Sequence, residues 1–234
     1  MTVSTTPAVA ALLFDLDGTL IDSMPLHHEA WRTWHASRGL PFDDNGFFAA
    51  TAGRTNAEIL LDLFPDTSEA ERWAMAEEKE ALYREAAAHR LATIAGCEAL
   101  LAAARGIGLK LAICTASPLG NMKVAFDRFG LDRAVDTVVS PADGLRGKPH
   151  PDIFLEAARR LGVVPEACVV FEDAPLGVES ARRAGMRAVA LTTTLPASAF
   201  EAFDNLLAAL PDLRGIAPGR LTTAYSRTRE NTHA

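Results

Sequence analysis

Five short, unbroken apolar runs, separated by amphipathic segments, constrain this chain more than any other feature. They are Val9–Phe14, Leu109–Cys114, Thr137–Val139, Cys168–Phe171 and Ala188–Leu191. An unbroken run, in contrast to strict alternation, suits a strand buried on both faces, as happens when helices cover a parallel sheet. The intervening segments Gly96–Arg105, Leu119–Phe129, Pro151–Leu161 and Leu176–Ala184 repeat apolar residues at helical spacing. Gly130 and Gly185 stand where two of them should stop. The pattern predicts an α/β fold, a Rossmann-like parallel sheet inside a three-layer α/β/α sandwich.

One stretch interrupts the alternation. From Met24 to Thr93 the patterns are helical and no strand is evident. This predicts an all-helical cap domain, residues 24–93, inserted into a discontinuous core of 1–23 and 94–214. Within it, Met24–Arg38 sets His27, Trp31 and Trp34 on one helical stripe. Ser68 and Glu71 form a capping box for a long helix running towards His89. Glu77, Lys79, Glu80 and Arg84 read mostly as a solvated charged face. Residues 215–234 lack apolar periodicity and are expected to be a flexible tail.

Composition narrows the functional classes. The formal net charge is −7, which leaves no basic footprint for nucleic acid and no attraction to anionic membranes. No run approaches the roughly 20 apolar residues of a membrane span. The N-terminus lacks the cationic segment of a signal peptide. Cys97, Cys114 and Cys168 are sparse and lack metal spacing, as expected of buried thiols in a reducing cytoplasm.

Chemistry-bearing residues fall at the predicted strand ends. Asp15 and Asp17 follow the first run in LLFDLDGTLIDS, Thr115 and Ser117 follow the second in AICTASP, and Glu172 and Asp173 close the fourth in VVFEDAP. Lys148 lies in RGKPHPD, after the third run and a loop. Open α/β sheets bind ligands beyond the carboxyl ends of their strands, so all of these residues share one crevice. Carboxylates so close repel by about 4 kcal/mol per pair at an effective dielectric near 20. A hard divalent cation such as Mg²⁺ offsets that repulsion and draws in a phosphate. Thr115 supplies a hydroxyl beside a helix start and Lys148 a positive charge for phosphoryl oxygens. Asp15 is then a candidate nucleophile, and Asp17 a general acid and base.

The segments FDLDGTLIDS, CTAS, GKPHPDIF and FEDAPLGVESARRAGM resemble the four motifs of the haloacid dehalogenase superfamily, in its helical-cap branch of sugar-phosphate phosphatases and β-phosphoglucomutase-like enzymes. The resemblance implies a cytoplasmic Mg²⁺-dependent phosphoric monoester hydrolase working through an aspartyl-phosphate, with a small phosphorylated metabolite as its partner. It implies Asp15, Asp17 (through its backbone carbonyl) and Asp173 as metal ligands. Thr115, Ala116, Ser117 and Lys148 become phosphate binders and Glu172 a supporting acid. His27, Trp31, Lys79 and Tyr83 sit where sugar-phosphate members place similar residues. The pairs 27/31 and 79/83 are each four apart on a helix face.

In the β-phosphoglucomutase pattern a cap glycine precedes, by three residues, an arginine that grips a second phosphate. Here Asn56 occupies that place after Gly53, and the arginine is Arg54. A sugar-monophosphate phosphatase is therefore expected ahead of a mutase. A receiver-like phosphorylation switch also groups aspartates, Thr and Lys around Mg²⁺, but an acid two residues after the nucleophile promotes release of the phosphate that a switch must keep. His28, His35, Met24 and Trp73 are assigned to packing or solvent, and a monomer suffices for a capped site.

Overall fold

A computed structural model describes residues 8–51 and 54–221. Six parallel strands form one sheet in the order β3-β2-β1-β4-β5-β6. They are β1 (Ala11–Phe14), β2 (Lys110–Cys114), β3 (Thr137–Val139), β4 (Cys168–Glu172), β5 (Arg187–Leu191) and β6 (Leu206–Leu210). Successive side chains alternate between the two faces. Leu12, Phe14, Ile113 and Phe171 pack under α5 (Cys97–Gly106) and α6 (Leu119–Phe129). Leu13, Cys114, Val170 and Ala188 pack under α7 (Asp152–Leu161) and α8 (Pro175–Arg183). β1 and β4 are buried along their whole length, as their unbroken apolar runs require.

β6 was not among the expected strands. Its sequence, LLAAL, has no β-branched residue, and the pairing with β5 decides its conformation. The packed chain also continues past the expected tail boundary, since Ile216 and Leu221 lie against the core and Pro218 is buried. Residues 222–234 lie outside the described residues.

Between β1 and α5 the chain forms α1 (Met24–Ser37), α2 (Phe47–Thr51), α3 (Asn56–Leu63) and α4 (Glu69–Arg90). Thr55 with Glu58 and Ser68 with Glu71 make reciprocal capping boxes that start α3 and α4. Trp31, Trp34, Ile59 and Leu60 form a separate apolar cluster for this region. The two crossings to the sheet pair with each other. Asp22 N donates to Ala92 O at 2.9 Å, and Ile94 N donates to Leu20 O at 2.9 Å. Among the described residues, no helix is long and apolar enough to cross a membrane.

Candidate active site

β1 ends in Phe14 and β4 in Phe171 and Glu172, and the two phenyl rings stack at 4.8 Å. That contact fixes the separation of the carboxylates that follow. Asp15, Glu172 and Asp173 are buried, and each offers an oxygen within 4.8 Å of the others. Lys148 Nζ reaches Asp15 Oδ1 at 2.5 Å, Glu172 Oε1 at 2.5 Å and Cys114 O at 3.2 Å. Glu172 Oε2 accepts from the backbone N–H groups of Asp173 (3.0 Å) and Ala174 (3.1 Å), just before α8.

Two glycines permit this crowding. A Cβ on Gly18, whose φ is +73°, would lie 2.1 Å from Asp173 Oδ2, and one on Gly177 would lie 1.9 Å from the Glu172 carboxylate. Only glycine allows the turn after Asp17 and the close approach of α8.

One ammonium does not neutralise three buried acids. Burial, followed by the nearby Glu172, pushes Asp173 up to about 7, although the Thr194 hydroxyl donates to its Oδ2. Burial raises Asp15 well above the ordinary carboxylate range; Lys148 opposes this, and the three neighbouring acids reinforce it. Lys148 itself is held above its usual value, because Asp15 and Glu172 outweigh its burial. Hard oxygen donors in a compact set, with Asp15 and Asp173 raised in proton affinity by burial, fit a small divalent cation.

Asp17 stands apart from that acidic set. Its Oδ1 faces His27 Nε2 at 3.6 Å. Burial alone would raise its carboxyl, but His27, with Ser23 and Ser117, holds it below its ordinary value. Thr115 Oγ1 accepts from Ser117 N at 2.9 Å, which tightens the loop between β2 and α6 on the cavity wall.

The same cavity, about 590 Å³, extends from these groups into the helical insertion. His27 stacks on Tyr83 with ring centroids 3.8 Å apart, and its Nδ1 lies 2.7 Å from Lys79 Nζ. Lys79 and Glu80, expected on a solvated face, are instead 2% and 4% exposed. Lys79 Nζ donates to Glu80 Oε1 at 2.9 Å; Asn56 Nδ2 donates to the same oxygen at 2.6 Å, and Asn121 Nδ2 to Oε2 at 2.5 Å. Glu80 thus ties α3 and α4 to α6 of the sheet domain. Burial opposes its ionisation, but Lys79, His27 and the two amides bring its carboxyl down to about 2. Burial lowers Lys79 despite Glu80.

The remaining expected residues divide. Trp31 borders the cavity but is buried against Trp34 and Phe47, so its main contacts are packing. Arg54 borders it too, with Nη2 donating to Asp62 Oδ2 at 2.7 Å and to Glu58 O at 3.1 Å. Ala116 and Ser117 line the inner end, and Gly53 lies outside the described residues. Cys97, Cys114 and Cys168 are buried free thiols, and burial pushes Cys97 and Cys168 up to about 12.

Sequence reasoning missed Glu80, Asn56, Asn121 and Thr194. Thr194 was within reach of the strand-end rule, since it follows β5 in LTTTLP. The other three gave no local signal, because their grouping depends on how α3, α4 and α6 meet.

A family profile for haloacid dehalogenase-like hydrolases matches residues 9–185. The chain belongs to that family. It is 36% identical over 205 residues to validoxylamine A 7'-phosphate phosphatase of Streptomyces hygroscopicus subsp. limoneus, covering 86% of this chain and 94% of that protein. It is 33% identical over 183 residues to fructose-1-phosphate phosphatase YqaB of Escherichia coli K12, covering 77% and 95%. The crystal structure of a family IA, variant 3 HAD hydrolase from Entamoeba histolytica superposes with a TM-score of 0.81 at 29% identity, covering 89% of this chain and 95% of that one. The expected class, a phosphoric monoester hydrolase, agrees with both phosphatase relatives, and the hydrolase family leaves the signalling-switch alternative disfavoured, as the sequence had it.

Proposed function

We propose that this protein is a Mg²⁺-dependent phosphatase that hydrolyses a sugar or polyol monophosphate through an aspartyl-phosphate on Asp15. The observation that carries this reading is the division of labour among the acids. Asp15 is pinned by Lys148 within the acidic set, whereas Asp17 lies outside it with its Oδ1 facing His27 Nε2 at 3.6 Å.

In the first step an Asp15 carboxylate oxygen attacks phosphorus and the bond to the substrate's alcohol oxygen breaks. Asp17 gives that oxygen a proton as it leaves. Asp17 is ionised beside His27 in the free enzyme. The arriving phosphate raises its proton affinity, so it takes up a proton from solvent before the first step, and the proton gained from water in the second step returns to solvent when phosphate leaves. In the second step Asp17 takes a proton from water, the water oxygen bonds to phosphorus, and the Asp15–phosphorus ester breaks to release inorganic phosphate. Lys148 keeps the attacking carboxylate oriented, while Thr115, Ala116 and Ser117 bind the phosphoryl oxygens. Asp15, Asp173 and the Asp17 backbone carbonyl would hold Mg²⁺, with Glu172 supporting Asp173 and Lys148. Bound there, the ion would supply positive charge to the phosphoryl group.

A mutase needs a second anion site. The Arg and Lys side chains that border the cavity among the described residues are already engaged: Arg54 by Asp62, Arg72 by the Thr67 carbonyl, Lys79 by Glu80 and Lys148 by Asp15. Arg54, in a partly exposed pair, is the readiest of these to turn to a second phosphate, but it follows Gly53 by one residue where the mutase pattern has three, which favours hydrolysis over transfer. A cytoplasmic monomer is part of this proposal.

The test is phosphate release across a panel of phosphorylated metabolites, with and without EDTA. Activity that disappears with EDTA, and with Asp15→Asn in a folded protein, is the expected result. Wild-type turnover by Asp15→Asn would falsify the nucleophile assignment.

A further inference from the structure

Among the described residues Trp73 is the most exposed of the large apolar side chains, at 71%, whereas Trp31 and Trp34 are buried. It does not stand on an unrelated surface. It borders the cavity that holds Asp15 and Lys148, and so does the half-exposed Leu61 of α3. An indole left in water forgoes about 1.5–3 kcal/mol of burial, so its placement on a cavity wall calls for an occupant.

The helix supplies a ruler. Trp73 and Glu80 are seven residues apart in α4, two turns along one face. Their separation along the axis is about 10 Å, about twice the width of a hexose ring. The inner end of this ruler is polar. Glu80 and Asn121 meet there, and Asn121 Oδ1 is a buried acceptor with no hydrogen-bond partner among the described residues. An unfilled buried acceptor in a cavity is suited to a hydroxyl donor from a ligand. The outer end presents the broad apolar face of an indole, which matches the C–H face of a sugar ring. A cavity of about 590 Å³ falls within the range of sites that enclose drug-sized ligands, which is generous for one phosphorylated ring.

We propose that the substrate's alcohol is a two-ring glycoside, with the phosphorylated ring beside Glu80 and Asn121 and the second ring stacked on Trp73. This rests on the phosphatase reading and names its substrate class. Trp73 is then a specificity-determining residue for the outer ring.

The test compares trehalose 6-phosphate, maltose 6'-phosphate and cellobiose 6'-phosphate with glucose 6-phosphate, with p-nitrophenyl phosphate as a ring-independent control. For at least one two-ring ester, kcat/KM should exceed that of glucose 6-phosphate by about tenfold, and Trp73→Ala should lower that ratio by about as much. A ratio that Trp73→Ala leaves unchanged, or a panel in which no two-ring ester exceeds glucose 6-phosphate, overturns the proposal. Hydrolysis of p-nitrophenyl phosphate would keep the phosphatase reading intact in that event. Binding gives an answer independent of turnover. With Asp15→Asn and Mg²⁺, a two-ring ester should shift tryptophan emission to the blue, and the shift should vanish in the Asp15→Asn, Trp73→Ala double variant. Calorimetric binding of these esters that is indifferent to Trp73 refutes the stacking. Failure of every phosphate ester to be hydrolysed overturns the phosphatase reading instead, and the emission shift still decides the subsite.

Discussion

Glu80 offers the sharpest test of how the helical insertion is tied to the sheet domain. Its carboxylate collects donors from Asn56, Lys79 and Asn121 and is 4% exposed. A carboxyl brought from 4.5 to about 2 is worth about 3 kcal/mol of folding stability at roughly 1.4 kcal/mol per unit. The sign follows from linkage: the folded value is depressed, so the contribution is present above pH 4.5 and is lost as pH falls towards 2. The Lys79 shift points the other way, because burial disfavours its ammonium, so the pair as a whole is worth less than the carboxylate's shift alone. Removing only the acid is nevertheless severe. Glu80→Ala leaves a buried ammonium and two amide donors without their acceptor, and about 3–5 kcal/mol should be lost. Urea unfolding at pH 7, followed through the buried Trp31 and Trp34, measures this. Glu80→Gln keeps the shape and drops the charge, so its deficit against wild type should shrink as pH falls from 5 towards 2. A deficit below about 1 kcal/mol for Glu80→Ala, or one for Glu80→Gln that ignores pH, would refute the reasoning.

Other expectations concern the acidic set and the cavity wall. In EDTA at neutral pH, Asp173→Asn should be more stable than wild type, because a carboxyl raised to about 7 is strained when ionised; added Mg²⁺ should raise the Tm of wild type and leave that of the variant unchanged. Gly177→Ala places a methyl 1.9 Å from the Glu172 carboxylate and should cost about 1–3 kcal/mol in unfolding experiments, with loss of phosphatase activity as Lys148 is displaced. Arg54→Ala should change stability by no more than about 1 kcal/mol, since its pair with Asp62 is partly exposed. Glucose 1-phosphate should yield free phosphate and no glucose 6-phosphate, as followed by coupled assay.

The legibility of the site in the sequence has a physical cause. Asp15, Thr115 and Asp173 each stand next to the strand that places them, so a local pattern and the rule for parallel sheets bring them together before any contact is known. Glu80 shows the opposite case. It lies 24 residues from Asn56 and 41 from Asn121, and periodicity on α4 gave only a charged stripe. Whether such a charge meets water or two amides depends on how two helices cross. β6 was hidden because leucine and alanine suit helix and strand alike, and only the exposed edge of β5 settles the matter. The Thr55–Glu58 capping box of α3 was present in the sequence, but eight residues are too few to stand out by period.

The acids are held together by what lies beneath them. Phe14 and Phe171 are fully buried and stacked immediately before Asp15 and Glu172, so the carboxylates cannot separate without opening the centre of the sheet. Their repulsion has three outlets: a proton, the Lys148 ammonium or an added cation. A proton on Asp15 would remove the nucleophile, and Lys148 reaches Asp15 and Glu172 while Asp173 remains perturbed. On the proposed reading, an added cation would join Lys148 in keeping Asp15 ionised and would also offset the local negative charge that turns a phosphate dianion away. A core rigid enough to keep like charges adjacent is therefore the condition for using them on an anionic substrate, and the stability lost at these acids is supplied by the apolar strands on which they stand.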